Sequence, residues 1–320
     1  MSTASLVKET WDLTGDDARR TLESTGRAAL LKDAFVRLRA ADGTSHARSL
    51  AFAISLVLVQ GLVVVVGFAV AFGSYGVSNV IVDTVRASAP GHAGDLLTSA
   101  VEQANRVGRN NRFLPLIVGL VGTLITATIA MGQLERAMNR IYGIEKDRPL
   151  AEKYPRALGL AVSAGIVIAS AFALLAFGRG LVNETGDLRS FWLVVRWPVG
   201  VALVGIGLAA LFRWAPRRRQ PGWTWLAFGA GVAVAMWTLC TVVLAFAFGL
   251  STTFGRTYGP LAGIVALQLW TFFSALAILY GVAVAAQLEA VRAGVPAAQD
   301  LAKDKQTTVR APVSSGRAFG

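Results

Sequence analysis

Six stretches of the chain, at about 50–73, 113–133, 157–177, 191–212, 225–248 and 259–287, run for some twenty or more residues with hardly a charged side chain. Each is long enough to cross a hydrocarbon core of roughly 30 Å at about 1.5 Å per helical residue, so each reads as a spanning helix. Only 16% of the residues are charged and 54% are hydrophobic, whereas a soluble domain carries about a quarter charged residues. The expected fold is therefore all-α, a polytopic membrane bundle of about six transmembrane helices occupying 50–288. It is preceded by a charged region, 1–49, and followed by a polar tail, 289–320, expected to be disordered. The first apolar run lies behind a long charged segment with no small-residue cleavage pattern close after it, so it is expected to stay as an anchor.

The formal charge of +12 invites a nucleic-acid interpretation, but the placement of the charges argues against one. Of the 31 Lys and Arg, 23 fall in 1–49, 134–156, 213–224 and 289–320, and 7 fall in 74–112, 178–190 and 249–259. Arg196 lies inside a stretch. This alternation is the positive-inside pattern and is expected to place both termini in the cytoplasm, with no nucleic-acid partner. Membrane lipids are the expected partners, since basic loops are drawn to anionic headgroups.

Two further segments have helical period but are too polar to span. Leu30, Leu31, Ala34, Phe35 and Leu38 share a face, with Lys32, Arg37 and Arg39 off it, predicting an amphipathic helix in the N-terminal region, either lying on the membrane surface or packed on the protein's own cytoplasmic loops. Between the first two spans, Leu96, Leu97, Ala100, Val101, Ala104 and Val107 predict a second such helix on the outer face, bounded by Pro90, Gly91 and Gly108. Trp192, Arg196, Trp197 and Pro198 mark the outer end of the fourth stretch and Trp214 its inner end, as in interfacial aromatic belts, with the proline in the first turns. Small residues spaced by four let helices approach closely: Ala161 with Gly165, Gly205 with Ala209, Ala227 with Gly231 and Ala235, and Gly259 with Gly263. Packing within the bundle is one use for such pairs, and a homo-oligomer interface is the other.

The segment GQLERAMNRIYGIEKDRP, residues 132–149, closely resembles the signature after the second span of the YihY/BrkB family of bacterial inner-membrane proteins. FRWAPRRRQPGWTWLAFGAGVAVAMW at 212–237 resembles that family's basic turn and fifth span, and YGPLAGIVALQLWTFFSALAILYGVAVAAQLE at 258–289 resembles its sixth. The likeness covers most of 45–292, with Gln60 where many members have a proline and the acid near the end of the sixth span at Glu289, after Gln287. It implies the inner membrane and the six-span fold. Some members carry a legacy ribonuclease label and others are described as serum-resistance or virulence factors, so the resemblance implies no particular reaction.

The residues themselves do not suggest catalysis. A metal-dependent nuclease gathers carboxylates or histidines to hold cations and activate water. Here His46 and His92 are expected on opposite sides of the membrane, and the acids are scattered beside basic partners. Nucleophile-elbow, zincin, Walker and dinucleotide-binding patterns are absent. The single Cys240 is expected to pack as a small apolar residue. The chain is therefore not expected to be an enzyme, and no catalytic residue, metal or cofactor is expected.

What remains is a set of polar groups at membrane depth or at its edge, where desolvation is costly. Gln60, Gln133, Gln268 and Arg196, with Glu135, Arg136 and Asn139 in a polar extension of the second span, are the candidate substrate-path or gating residues. Plainer roles are interhelical hydrogen bonding for the glutamines and snorkelling for Arg196. For the region from Glu135 to Arg148 the plainer role is a topogenic and structural ion-pair cluster; if it only anchors topology, changing Glu135 to Gln would be nearly silent, as for an exposed pair. The function that fits is binding or transporting an amphiphilic lipid or lipid-linked envelope precursor. The alternative is a non-catalytic scaffold of the cell envelope. A cavity open sideways to lipid would favour the first, and a tightly filled bundle the second.

Overall fold

The computed structural model describes residues 3–10, 12–71, 92–111, 113–181, 186–250, 260–295 and 298. Among these residues the regular structure is entirely helical. Two short helices, α1 (Gly15–Thr25) and α2 (Arg27–Ala40), lead into α3 (Gly43–Ala71). Then follow α4 (His92–Asn110), α5 (Leu114–Ile141), α6 (Leu150–Leu181), α7 (Gly186–Trp214), α8 (Trp223–Leu250) and α9 (Pro260–Arg292).

Among the described residues, four segments are long and apolar enough to cross a membrane: Gly43–Phe68 of α3, Leu114–Ile141 of α5, Trp223–Gly249 of α8 and Leu261–Arg292 of α9. The expected third and fourth spans fall on α6 and α7, helices of 32 and 29 residues; among the described residues Pro198–Trp214 is a shorter apolar stretch there. On α5, Ile117, Val121, Ile125 and Ile129 recur every four residues and all point outward. Water does not tolerate contiguous apolar surface of that kind, whereas hydrocarbon does. The chain is a multi-pass membrane protein.

Helices α3, α5, α6, α7, α8 and α9 pack in that order around a ring, and α9 closes it against α3. The hub is α9, which also touches α1, α2, α4 and α5 and is buried at every position from 281 to 290. Its crossing with α8 is made by two glycines. A Cβ built on Gly229 would lie 2.6 Å from the Gly281 carbonyl oxygen, and one on Gly281 would lie 2.5 Å from the Gly229 carbonyl, so the backbones touch and no side chain fits.

The amphipathic helix between the first two spans is present as α4, with Leu97, Val101 and Ala104 buried in a cluster with Val66, Val70 and Trp270. Pro90, Gly91, Gly259 and the tail from Pro296, save residue 298, lie outside the described residues.

Three sequence expectations are corrected. Arg37, expected off the packed face of the N-terminal helix, is fully buried, while Leu31 and Phe35 are exposed. Pro198 lies inside α7 rather than in its first turns, because the helix starts at Gly186. Of the expected small-residue pairs, Gly263 does pack closely, against His92 and Leu96, but Gly165, Gly205 and Gly231 would each meet nothing within 4 Å of an added Cβ.

Candidate functional site

Two features stand out: a buried polar cap at the basic end of the bundle and an apolar groove that begins beside it. The cap starts from the way α5 ends. Gly143, at φ 84°, takes the left-handed conformation that stops the helix. The Ile144 N–H then bonds the Asn139 carbonyl at 2.8 Å and the Gly143 N–H the Arg140 carbonyl at 3.2 Å, satisfying carbonyls that the helix end would otherwise orphan. The chain reverses there and brings Arg148 back onto Glu135, a pair whose side chains are 9% and 1% exposed. Arg148 also donates to the carbonyls of Ala215 and Pro216, each at 3.2 Å, and Asn139 Oδ1 accepts the Arg217 N–H at 2.8 Å. Thus the polar extension of α5 clamps the turn between α7 and α8. Arg136 pairs with Asp147 at 3.1 Å, and Lys153 reaches the same carboxylate at 3.9 Å. Burial lowers the Lys153 pKa, as does the neighbouring Arg136, with Asp147 opposing.

A second layer ties the N-terminal segment to the end of α9. Arg218 donates to Glu289 at 2.6 Å, and its guanidinium lies 4.6 Å above the Tyr142 ring. Glu289 also accepts from the Thr10 hydroxyl and, at 3.2 Å, from the Thr10 N–H. Arg37 donates to Gln287 Oε1 at 2.7 Å, to the Ser5 carbonyl at 3.0 Å and hydroxyl at 3.2 Å, and to the Ile141 carbonyl at 3.3 Å. The backbone of 4–7 adds bonds from Ala4 N–H to the Arg140 carbonyl and from Val7 N–H to the Tyr142 carbonyl, both 3.1 Å. Burial brings the Arg37 pKa down to about 10, while Tyr142 and Glu289 favour its charge; it stays cationic at neutral pH. Burial pushes the Tyr142 hydroxyl well above its ordinary range, with Glu289 adding to the effect. The arrangement is a lock in which each carboxylate faces a cation, while one oxygen each of Glu135 and Glu289 and the Tyr142 hydroxyl are buried without a hydrogen-bond partner among the described residues.

The candidate residues from sequence do not converge. Gln60 accepts from the Thr126 hydroxyl at 2.7 Å, and Gln268 from Ser55 at 3.2 Å, so these two act as bonds between helices. Gln133 is half-buried on α5. Glu135, Arg136 and Asn139 all belong to the cap, and the Arg196 side chain lies outside the described residues. The structural ion-pair cluster expected from Glu135 to Arg148 is present, but Glu135 is 1% exposed, so the near-silent change expected of an exposed pair does not apply there. Arg37, Arg218 and Glu289 are cap members the sequence reading did not select. One signal for Arg37 was present: it lies seven residues after Leu30, and a heptad step turns a helix by only about 20°, placing both on one face.

The groove lies between α7 and α8. It has a volume of about 830 Å³ and is lined by Val201, Gly205, Ile206 and Ala209 on one side and Ala227, Gly231 and Ala235 on the other. Along α8 it runs from residue 223 to 238, about 22 Å of helical rise. Most of this lining is exposed, so the groove is accessible from the side. At its basic end the Trp214 and Trp223 rings meet edge to face with centroids 5.4 Å apart, and the Arg213 guanidinium lies 5.4 Å from the Trp223 centroid. Here the small residues expected at close helix contacts line an apolar groove along the packed pair. Ligand sites in proteins occupy about 300–1,000 Å³ and are mostly apolar, which this groove matches.

Comparison with known proteins finds relatives in bacteria. The chain is 25% identical over 260 residues to the ribonuclease-like protein YfkH of Bacillus subtilis (strain 168), covering 79% of this chain and 92% of that one. It is 27% identical over 182 residues to a UPF0761 membrane protein of Bordetella petrii, covering 55% of this chain and 39% of the relative. A UPF0761 membrane protein of Ralstonia nicotianae is 25% identical over 218 residues, 63% of this chain and 45% of the relative. The match thus spans nearly all of YfkH but less than half of these two UPF0761 proteins. No solved structure matches the chain. The pattern of the family described as virulence factor BrkB matches residues 34–307 and so takes in the groove and the cap apart from its N-terminal segment; the chain belongs to that family.

Proposed function

We propose that this protein resides in the bacterial inner membrane, with both termini and the basic cap in the cytoplasm, and binds and moves an amphiphile, a lipid or lipid-linked envelope precursor. The observation that carries this reading is the α7–α8 groove: apolar, of ligand size, exposed along its length and ending at a belt of tryptophan and arginine. A bilayer-embedded groove of this kind accepts hydrocarbon that a filled bundle would exclude. The cap seals the basic end by pinning α5, the α7–α8 turn, α9 and the N-terminal segment to one another. The test is transfer of a fluorescent phospholipid between leaflets of vesicles carrying the purified protein. Filling the groove with Gly205→Leu and Gly231→Leu, at sites where an added Cβ meets nothing within 4 Å, is expected to abolish transfer. Undiminished transfer would remove the proposal.

A scaffold role remains the second reading. It is favoured by the outward face of α2, where Leu31, Phe35 and Val36 are exposed beside Lys32 and Arg39. Loss of a co-purifying envelope protein on changing Leu31 and Phe35 to Ser, with lipid transfer absent throughout, would support it.

A further inference from the structure

We propose that the α7–α8 groove selects amphiphiles with an anionic headgroup, the anionic phospholipid class, by holding that headgroup between Arg213 and Arg156 at its basic mouth. This rests on the groove being an amphiphile site and adds what it chooses. The groove wall is hydrocarbon-like over its length, and such a wall takes any acyl chain of suitable girth without distinguishing headgroups. Selection therefore falls to the mouth, where Trp223 and Thr224 line the groove.

Two guanidinium groups sit there. Arg213, in the last turn of α7, stacks over Trp223 at 5.4 Å and donates one bond to the Pro221 carbonyl at 3.0 Å. Arg156, at the start of α6, donates to the carbonyl of Trp214 at 2.7 Å, and the Trp214 ring meets that of Trp223. Each is held by a main-chain carbonyl, and Arg213 also by an aromatic face, contacts that fix a guanidinium in place without neutralising it. Among the described residues neither is ion-paired with an Asp or Glu, unlike Arg136, Arg148 and Arg218 of the cap. Three acids of the cap are engaged elsewhere: Glu135 with Arg148, Asp147 with Arg136 and Lys153, and Glu289 with Arg218. The mouth thus carries positive charge at the level of a tryptophan belt, where the phosphate of a lipid with its chain in the groove would lie. Guanidinium binds phosphate oxygens through paired N–H donors. A zwitterionic lipid would bring its own cation to the same place and lose part of that attraction.

The experiment is native mass spectrometry of the delipidated full chain, titrated with phosphatidylglycerol or phosphatidylcholine of identical acyl chains. The variant carrying Gly205→Leu and Gly231→Leu supplies the baseline of lipids bound elsewhere on the surface. Above that baseline the wild type is expected to retain phosphatidylglycerol in preference, and Arg213→Gln with Arg156→Gln to keep binding both lipids while losing the preference by about fivefold per arginine. Equal retention of the two lipids by the wild type, or a preference unchanged in the arginine variant, overturns the headgroup assignment while leaving the amphiphile reading intact. Retention in the groove-filled variant equal to wild type overturns both. Efficient cross-linking of two copies through Ala235→Cys in native membranes, with no lipid bound above baseline, would show the groove covered by a second copy and would also overturn the assignment.

Discussion

Arg37 and Glu135 show what burial does to a charge that sequence alone would leave in solvent. Removing a carboxylate from water is costly, and for Glu135 the offsetting contact is Arg148, itself held by the Ala215 and Pro216 carbonyls, while the second Glu135 oxygen has no partner among the described residues. Breaking the pair from one side leaves Arg148 uncompensated. Glu135→Ala is therefore expected to cost about 3–5 kcal/mol and lower the thermal midpoint in detergent clearly, while a change at Glu23, in the exposed pair with Arg19, should leave it unmoved. A Glu135 variant that melts with the wild type would mean the cap is not closed as described. Loss of function in such a variant is not by itself evidence of gating, since the fold is weakened too. Arg218 behaves alike: with its side chain 2% exposed against Glu289 at 0%, Arg218→Gln is expected to destabilise rather than serve as a neutral surface control. Equal yield and midpoint for that variant would contradict the second layer of the cap.

At the scale of elements, α8 carries two kinds of glycine two residues apart. Gly229 faces the backbone of α9, whereas Gly231 faces the groove. Gly229→Leu drives a side chain into a carbonyl and is expected to cost about 3 kcal/mol or to prevent folding. Gly231→Leu is expected to leave the midpoint nearly unchanged, and size-exclusion profiles with melting curves of the two variants decide the matter. Both glycines sit in the same apolar run, so periodicity and composition do not distinguish them. Alanine and glycine spaced by four mark where a helix can be approached, but the partner's backbone decides whether it is. On α2 the helical period was legible and the inward face was not: Leu30, Ala34 and Leu38 pack inward together with Arg37, because Gln287 and the Ser5 and Ile141 carbonyls are there to receive the guanidinium.

For the molecule as a whole, the 23 to 7 division of basic residues predicts both termini in the cytoplasm. Alkaline phosphatase fused after residue 145 or at the tail should be inactive and one fused near residue 95 active; the reverse at any site would refute the orientation. A homogeneous preparation is expected to show no ribonuclease activity, and metal-dependent cleavage that vanishes on changing one of its own acids to alanine would contradict this. The sequence by itself determined what depends on local composition: an all-helical membrane chain, the helix α4 on its flank, the polar continuation of α5 and the family. Apolar runs and helical periods are properties of contiguous residues, and the bilayer or the adjacent helix responds to them almost regardless of detail. Only the tertiary structure decided that Thr10, Arg37, Tyr142, Arg218 and Glu289 meet in one buried cap, and that the small residues of α7 and α8 line a groove rather than a seam. These residues lie up to 279 positions apart, and whether a charge is paired or a glycine is filled depends on what the rest of the fold places opposite it.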